Sequence, residues 1–279
     1  MDPDERSTGL VRFNIGGEPV TMKLDLPTQP MKPHRLLPVF QQMTNYFVNL
    51  SVQAVEAQGS AVSCKANCGA CCRQPVPISE LEIYQIAELV EAMPEPRQTE
   101  VRKRFADARD HFAAIGWFDR VAQCDAGGKK KPVAAVANEL KALVADYFNE
   151  SIACPFLVDE SCSIHAARPL VCREYLVTSP PENCSRENGG DIDRINLFLS
   201  PSKTVQHMGV SGKMQDVGFV PLIRALELAE RFPESFESRR PELWVDEFFE
   251  RLSPKQEAGK ALPRRSGKHA ARRKKPRNR

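Results

Sequence analysis

Apolar positions recur along this chain with two periods. Over positions 10 to 26, LVRFNIGGEPVTMKLDL, the residues Val11, Phe13 and Ile15 alternate with polar neighbours, and Val20, Met22, Leu24 and Leu26 do so again after Gly16-Gly17. Period two on both sides of a glycine pair predicts a β-hairpin. A proline-rich stretch, TQPMKPHRLLP, reads as a linker, and Val39, Phe40, Met43, Phe47 and Leu50 then follow at helical spacing, with a stop near Gly59. Ser79-x-x-Glu82 matches a capping box ahead of Ile83, Ile86, Ala87, Val90 and Met93, so a helix starts there. Pro94 and Pro96 end it. Val101, Phe105, Ala108, Phe112 and Ile115 describe the next helix, and Gly127 to Lys131 the next break. Val133 to Phe148, Val220 to Phe232 and Leu243 to Leu252 complete the helical set.

The pattern predicts a mainly α protein: a helical domain with a loop-rich cysteine cluster and a small N-terminal β-hairpin. Three parts are expected. Positions 1–35 form an extension with the hairpin and linker, 36–253 the helical cysteine-cluster domain, and 254–279 a disordered basic tail. Between Lys255 and Arg279 stand eleven Lys or Arg against the single acid Glu257, a charge of +10 in a chain whose formal net charge is +3, so the 254 residues before it carry −7. Such a tail attracts polyanions without sequence reading, because no aromatic residue interleaves with its cations to stack on bases. Nonspecific RNA or another polyanion is the partner this segment predicts, alongside the bland reading of a solubilising extension.

Composition narrows the class further. With 42% hydrophobic and 27% charged residues in a chain of 279, neither a wholly disordered chain nor a membrane protein fits. No window approaches eighteen uninterrupted apolar residues. The opening MDPDERSTG lacks the basic-then-apolar pattern of a secretory leader, which predicts a cytoplasmic chain with reduced thiols. No nucleotide fingerprint or phosphate loop is present; the glycine pairs read as turns.

Nine cysteines are unevenly spread. Cys64, Cys68, Cys71 and Cys72 crowd nine positions, Cys154, Cys162, Cys172 and Cys184 lie within thirty-one, and Cys124 is isolated. In a reducing compartment such clusters hold metal more often than they form disulfides. Eight cysteines suffice for two four-sulfur zinc sites, and four can hold an iron-sulfur cluster; the spacing does not choose. Adjacent Cys71 and Cys72 are expected to point apart, serving two metals or two sides of one cluster. The second group carries Pro155, Pro169, Pro180-Pro181 and Gly189-Gly190, so it reads as loops and short turns that need something to order them. Phe156, Leu157, Ile164, Leu170 and Tyr175 read as core packing around it, and Asp159 and Glu174 as solvated acids.

From the CC pair through Cys154-Pro155-Phe156-Leu157, Cys162-Ser163-Ile164-His165, Arg168-Pro169 and Cys172-Arg173-Glu174-Tyr175 to Cys184, the order of motifs resembles the zinc- or iron-chelating family of cysteine-cluster proteins, also called YkgJ-like or CxxCxxCC proteins. The resemblance covers roughly positions 60 to 190. It implies metal ligands at Cys64, Cys68, Cys71, Cys72, Cys154, Cys162, Cys172 and Cys184, with zinc or iron, including a 4Fe–4S cluster, as the cofactor. Arg168 and Arg173 are nearby motif residues, able to donate hydrogen bonds to sulfur and offset thiolate charge. His165 stands where the family commonly has tyrosine, as a polar turn residue or a replacement ligand, and the first gap is three residues where the family name has two. Members are labelled metal-binding or iron-sulfur oxidoreductases, with relatives among flagellin lysine methylases, so an iron-sulfur oxidoreductase or a protein methylase-like enzyme is the alternative to metal binding alone. Cys64-x3-Cys68-x2-Cys71 also matches the cluster spacing of radical S-adenosylmethionine enzymes, but the downstream pattern is helical and Ala70 replaces the usual aromatic residue.

Overall fold

The computed structural model describes residues 5–15, 18–127, 133–185, 192–214 and 220–252. The Gly16-Gly17 turn, Gly189-Gly190 and the basic tail lie outside the described residues.

Strands β1 (Arg6–Ile15) and β2 (Glu18–Pro27) pair antiparallel with Phe13 opposite Val20, Val11 opposite Met22 and Gly9 opposite Leu24. Opposed residues share a face, so the alternation puts Phe13, Ile15, Met22, Leu24 and Leu26 on one side of the hairpin. That side rests on α1 (Leu37–Ala57) and α9 (Pro241–Leu252), where Phe13 meets Phe47 edge-on at 5.3 Å and Phe40 stacks on Phe248 at 4.8 Å. The expected hairpin and first helix are both present, the helix running through to Ala57.

A second core joins α2 (Glu80–Glu91), α3 (Arg97–Ala114) and α8 (Ala225–Arg231) to the cysteine loops, through Ile83, Val90, Phe105, Leu228, Phe156 and Ile164. The chain from Val220 is not helical throughout as the spacing predicts. Pro221 opens a short 3-10 turn over Leu222–Arg224, and the α-helix begins only at Ala225. A third core lies between α3, α4 (Trp117–Gly127) and α5 (Val133–Asn149), with Phe112 stacked on Tyr147 at 4.0 Å and the Trp117 indole donating to the Leu143 carbonyl at 2.9 Å. Cys124 is buried in this core. The chain is mainly α, and among the described residues no helix is long and apolar enough to cross a membrane.

One buried carboxylate ties this frame to the cysteine loops. Glu82 closes the capping box, accepting from the Ser79 amide and hydroxyl at 2.8 Å each, while the Ser79 hydroxyl accepts from the Glu82 amide. Its other oxygen accepts from the Leu170 amide at 2.8 Å, at the start of α6 (Leu170–Glu174). Two helix N-termini thus share one acid, and α6 carries Cys172.

Candidate metal centre

The first cysteine group is a tight loop fixed at both ends. Ser63 donates from its amide to Val177 and from its hydroxyl to Thr178, both at 2.9 Å. Asn67 takes a left-handed φ of 61°, and Ala70–Arg73 forms a 3-10 turn, with the Cys72 amide donating to Gly69 at 2.9 Å.

The second group comes to meet it. The Cys154 amide donates to the Cys72 carbonyl at 2.7 Å, joining residues that are separated by 81 others. Strands β3 (Leu157–Val158) and β4 (Ser161–Cys162) form a minimal hairpin through left-handed Asp159 and Glu160, placing Cys162 opposite Leu157. Arg73 grips Glu160 with two hydrogen bonds, at 3.0 and 2.6 Å. Gly69 sits so close beneath this hairpin that a Cβ there would stand 2.7 Å from Leu157 Cδ1 and 2.9 Å from the Glu160 carbonyl oxygen. On the other flank the 3-10 turn Pro181–Ser185 brings in Cys184, and the Gln74 amide donates to the Cys184 carbonyl at 3.2 Å.

Cys68, Cys71, Cys72, Cys154, Cys162 and Cys172 line one cavity of about 140 Å³, together with Gln74, His165, Arg168 and Tyr175. No carboxylate lines it among the described residues. Cys64 and Cys184 lie off its wall but interact electrostatically with each other and with Cys68 and Cys71. The nine cysteines, all among the described residues, form no disulfide. Cys71 and Cys72 do not point apart as adjacency suggests; their side chains hydrogen-bond to one another. Among the described residues no group of three or more His, Cys, Asp and Glu side chains is arranged to hold a metal ion as it stands. The thiols share a wall without converging on a point.

Six of them, Cys64, Cys71, Cys154, Cys162, Cys172 and Cys184, are pushed toward the neutral form. Burial pushes the Cys154 thiol up to about 12 from 9.0 and Cys172 well above its ordinary range. The Cys72 hydrogen bond, then burial, raises Cys71. Burial also raises Cys64, Cys162 and Cys184, each opposed by a donor: the Val177 amide, the Ile164 amide and the Tyr175 hydroxyl respectively. Desolvation penalises an isolated thiolate, so only a compensating positive charge favours ionising these groups together.

Two arginines and a histidine stand beside them. Arg168 lines the cavity, and its Nε is buried without a hydrogen-bond partner, an orphaned donor next to sulfur. Arg173 is only 4% exposed and spends its donors on the Ala166 and Arg168 carbonyls and on Asn45 Oδ1. It therefore staples the 165–168 turn in place, reaching Cys172 and Cys162 through its charge. His165 is exposed on that turn, and the neighbouring Arg168 charge lowers its pKa. Glu174 is not solvated as expected: it accepts from the Ser202 amide and hydroxyl at 2.6 Å each, holding the start of α7 (Pro201–Val205). Asp159 is exposed, and Phe156, Ile164 and Leu170 are buried.

The Arg73–Glu160 pair, Gln74 and Glu82 shape the site without having been singled out for it by spacing, whereas Gly69 was readable as leaving room for a tight cysteine loop. Of the first three, only the capping box of Glu82 carried a local signal, since the other partners come together through the fold. No curated protein and no solved structure matches the chain. A family model does match, from one residue before Cys64 to five after Cys184, taking in every clustered cysteine. The match spans residues 63–189, rather under half of the chain, which are thus similar to the CxxCxxCC domain, described as a putative zinc- or iron-chelating domain, and metal binding is the property that this description supports.

Proposed function

We propose that residues 63–189 bind zinc or iron through cysteine thiolates drawn from both groups, joining the 64–72 loop to the 154–184 loops. The observation that carries this reading is one cavity lined by six sulfurs from two distant stretches and by no described carboxylate. Soft thiolate donors select zinc or iron-sulfur clusters over magnesium or calcium. The donor set fits in a second respect. A thiolate would give the buried Arg168 Nε the acceptor it lacks. Cys64, Cys68, Cys71, Cys72, Cys154, Cys162, Cys172 and Cys184 are the candidate ligands, with rotation of their side chains bringing them inward. A metal bound there supplies positive charge that stabilises thiolates and cross-links the loops, or electron transfer if it is an iron-sulfur cluster.

This chain's residues supply the rest. Phe156, Ile164 and Leu222 wall the cavity against water, and Arg173 holds the turn that presents Arg168. The reading also takes the chain to work where thiols stay reduced, as in the cytoplasm. Anaerobic purification, elemental analysis and visible absorption test the proposal together. Stoichiometric zinc in a colourless protein supports the zinc form, and brown colour with iron and sulfide the oxidoreductase-like form. Single cysteine-to-serine changes in both groups that leave metal content and thermal stability untouched would end it.

A further inference from the structure

Fixed charge on the wall of the cysteine cavity has one sign. Lys65 and Arg168 line it, and among the described residues neither is in an ion pair. The other titratable residues on the wall are His165, Tyr175 and six cysteines, types that carry no negative charge at pH 7 in their ordinary state. The described acids of these loops and of α2 are engaged elsewhere. Glu82 accepts from Ser79 and Leu170 and offsets the charge of Arg173, Glu174 holds Ser202, and Glu160 pairs with Arg73. Glu160 and Glu182 line an adjoining outer groove, which Lys65 shares, and Asp159 is exposed on the turn between β3 and β4. Val76, Phe156, Ile164 and Leu222 give the cavity apolar walls, which concentrate the field of charges set among them.

Such a wall repels a hydrated divalent cation and draws in an anion. The volume of about 140 Å³ also exceeds what a bare ion needs, since a single water fits in about 10–15 Å³. Resting on the metal-binding reading above, we infer that this cavity takes its metal from an anionic thiolate complex rather than as the hydrated ion, with Lys65 and Arg168 as the residues that attract the complex. Transfer is then a ligand exchange. A cysteine sulfur bonds to the metal as a bond from the metal to a carrier sulfur breaks, and the cysteine proton passes to the departing carrier thiolate. No electron moves, and no proton is released to solvent. A hydrated ion instead gives up water and frees one proton for each thiolate formed.

The test uses the full chain, stripped of metal under anaerobic reducing conditions and loaded either from zinc held by two dithiothreitol molecules, an anionic tetrathiolate, or from hydrated zinc. Elemental analysis of rapidly desalted aliquots gives the rate of loading, and an indicator dye gives the protons released. Exposed Lys65 is varied to Gln and to Glu. Loading from the complex should slow in the order Lys, Gln, Glu, by about tenfold overall at low salt, with the spread closing as salt screens the charges. The order should reverse for hydrated zinc, and final zinc content should be the same in all three chains. The basic tail attracts anions equally in all three, so the ordering isolates the cavity. If Lys65→Glu does not fold by circular dichroism, Lys65→Gln carries the comparison with the smaller change of charge. A rate from the complex that ignores the charge at position 65, a complex that delivers no zinc to a chain able to take the hydrated ion, or equal proton release from both sources overturns the inference. Failure to take zinc or ferrous iron from either source sinks the underlying metal-binding reading instead, so the two failures are told apart.

Discussion

Gly69→Ala tests the seam between the two cysteine groups most directly. The added Cβ would lie 2.7 Å from Leu157 Cδ1, 2.9 Å from the Glu160 carbonyl oxygen and 2.9 Å from Glu160 Oε2. Leu157 can turn aside and the Glu160 carboxylate can swing away, but the carbonyl belongs to the left-handed turn that closes β3 on β4. Relief therefore requires the whole hairpin to move off the 70–73 turn. The φ of −94° at Gly69 suits any residue, so backbone strain adds nothing. Overpacking of this kind costs about 1–3 kcal/mol, and the stiffer unfolded chain returns about 0.4–1 kcal/mol. The net expectation is a loss of about 1–2 kcal/mol, or roughly 2–8 °C in Tm for a chain of this size. Urea unfolding followed by circular dichroism reads it, with Gly9→Ala as the control, since nothing lies within 4 Å of a Cβ there. Adding Leu157→Ala removes one of the three clashes, so the double change should cost less than the sum of its parts. If Gly69→Ala is as stable as Gly9→Ala and the pair is additive, the close approach is not what holds these loops together.

The other expectations rest on separate features. Ser79→Ala removes the capping hydroxyl and one donor to buried Glu82, for a loss of about 1–2 kcal/mol in urea unfolding. Arg173→Met leaves the Ala166 and Arg168 carbonyls without their donor and loosens the turn, for about 3 kcal/mol, with faster hydrogen exchange over 165–172 as the specific readout. The metal-free chain should lose stability above pH 9: Cys154 stays protonated up to about 12 when folded but ionises near 9.0 when unfolded, so its contribution is complete below 9 and disappears as pH rises to 12, roughly 4 kcal/mol in all. Deleting 255–279 should leave metal content unchanged and abolish RNA retention at low salt, read by elemental analysis and filter binding.

Much of this was legible because it is written locally. The hairpin alternation, the spacing from Val39 to Leu50 and the Ser79/Glu82 box each fit within a few turns of chain, and the structure has the corresponding elements. Helix α4 was there to be read as well. Trp117, Val121 and Cys124 recur at helical spacing, but a short segment beginning after left-handed Gly116 resembles a loop between two breaks. The partner of Glu174 was not legible, since Ser202 lies 28 positions on and no periodicity links them. Nor was Arg73 with Glu160, 87 apart, where each alone looks like an ordinary surface charge. The cysteines stood out by type and crowding, while which of them share a cavity depends on which loop touches which.

Those loop contacts change what a metal has to do. Sequence suggests proline-rich loops that only a bound ion could order, which would make binding and folding a single event. Hydrogen bonds also span the gap: Cys154 to Cys72 through the backbone, Ser63 to Val177, Gln74 to Cys184, Arg73 to Glu160, and Glu82 from α2 to α6. Each bond fixes a stretch of loop next to a sulfur. These hydrogen bonds and the burial of Phe156 and Ile164 offset part of the cost of ordering the loops. On the proposed thiolate coordination, metal affinity would depend on the protons on the thiols. Several are held above their ordinary pKa by burial, so binding releases protons and weakens as pH falls. Calorimetric titration in buffers of different ionisation enthalpy separates the two cases. Binding dominated by proton release shows a strong dependence on buffer with little change in far-ultraviolet circular dichroism, whereas metal-driven folding shows a large gain of structure.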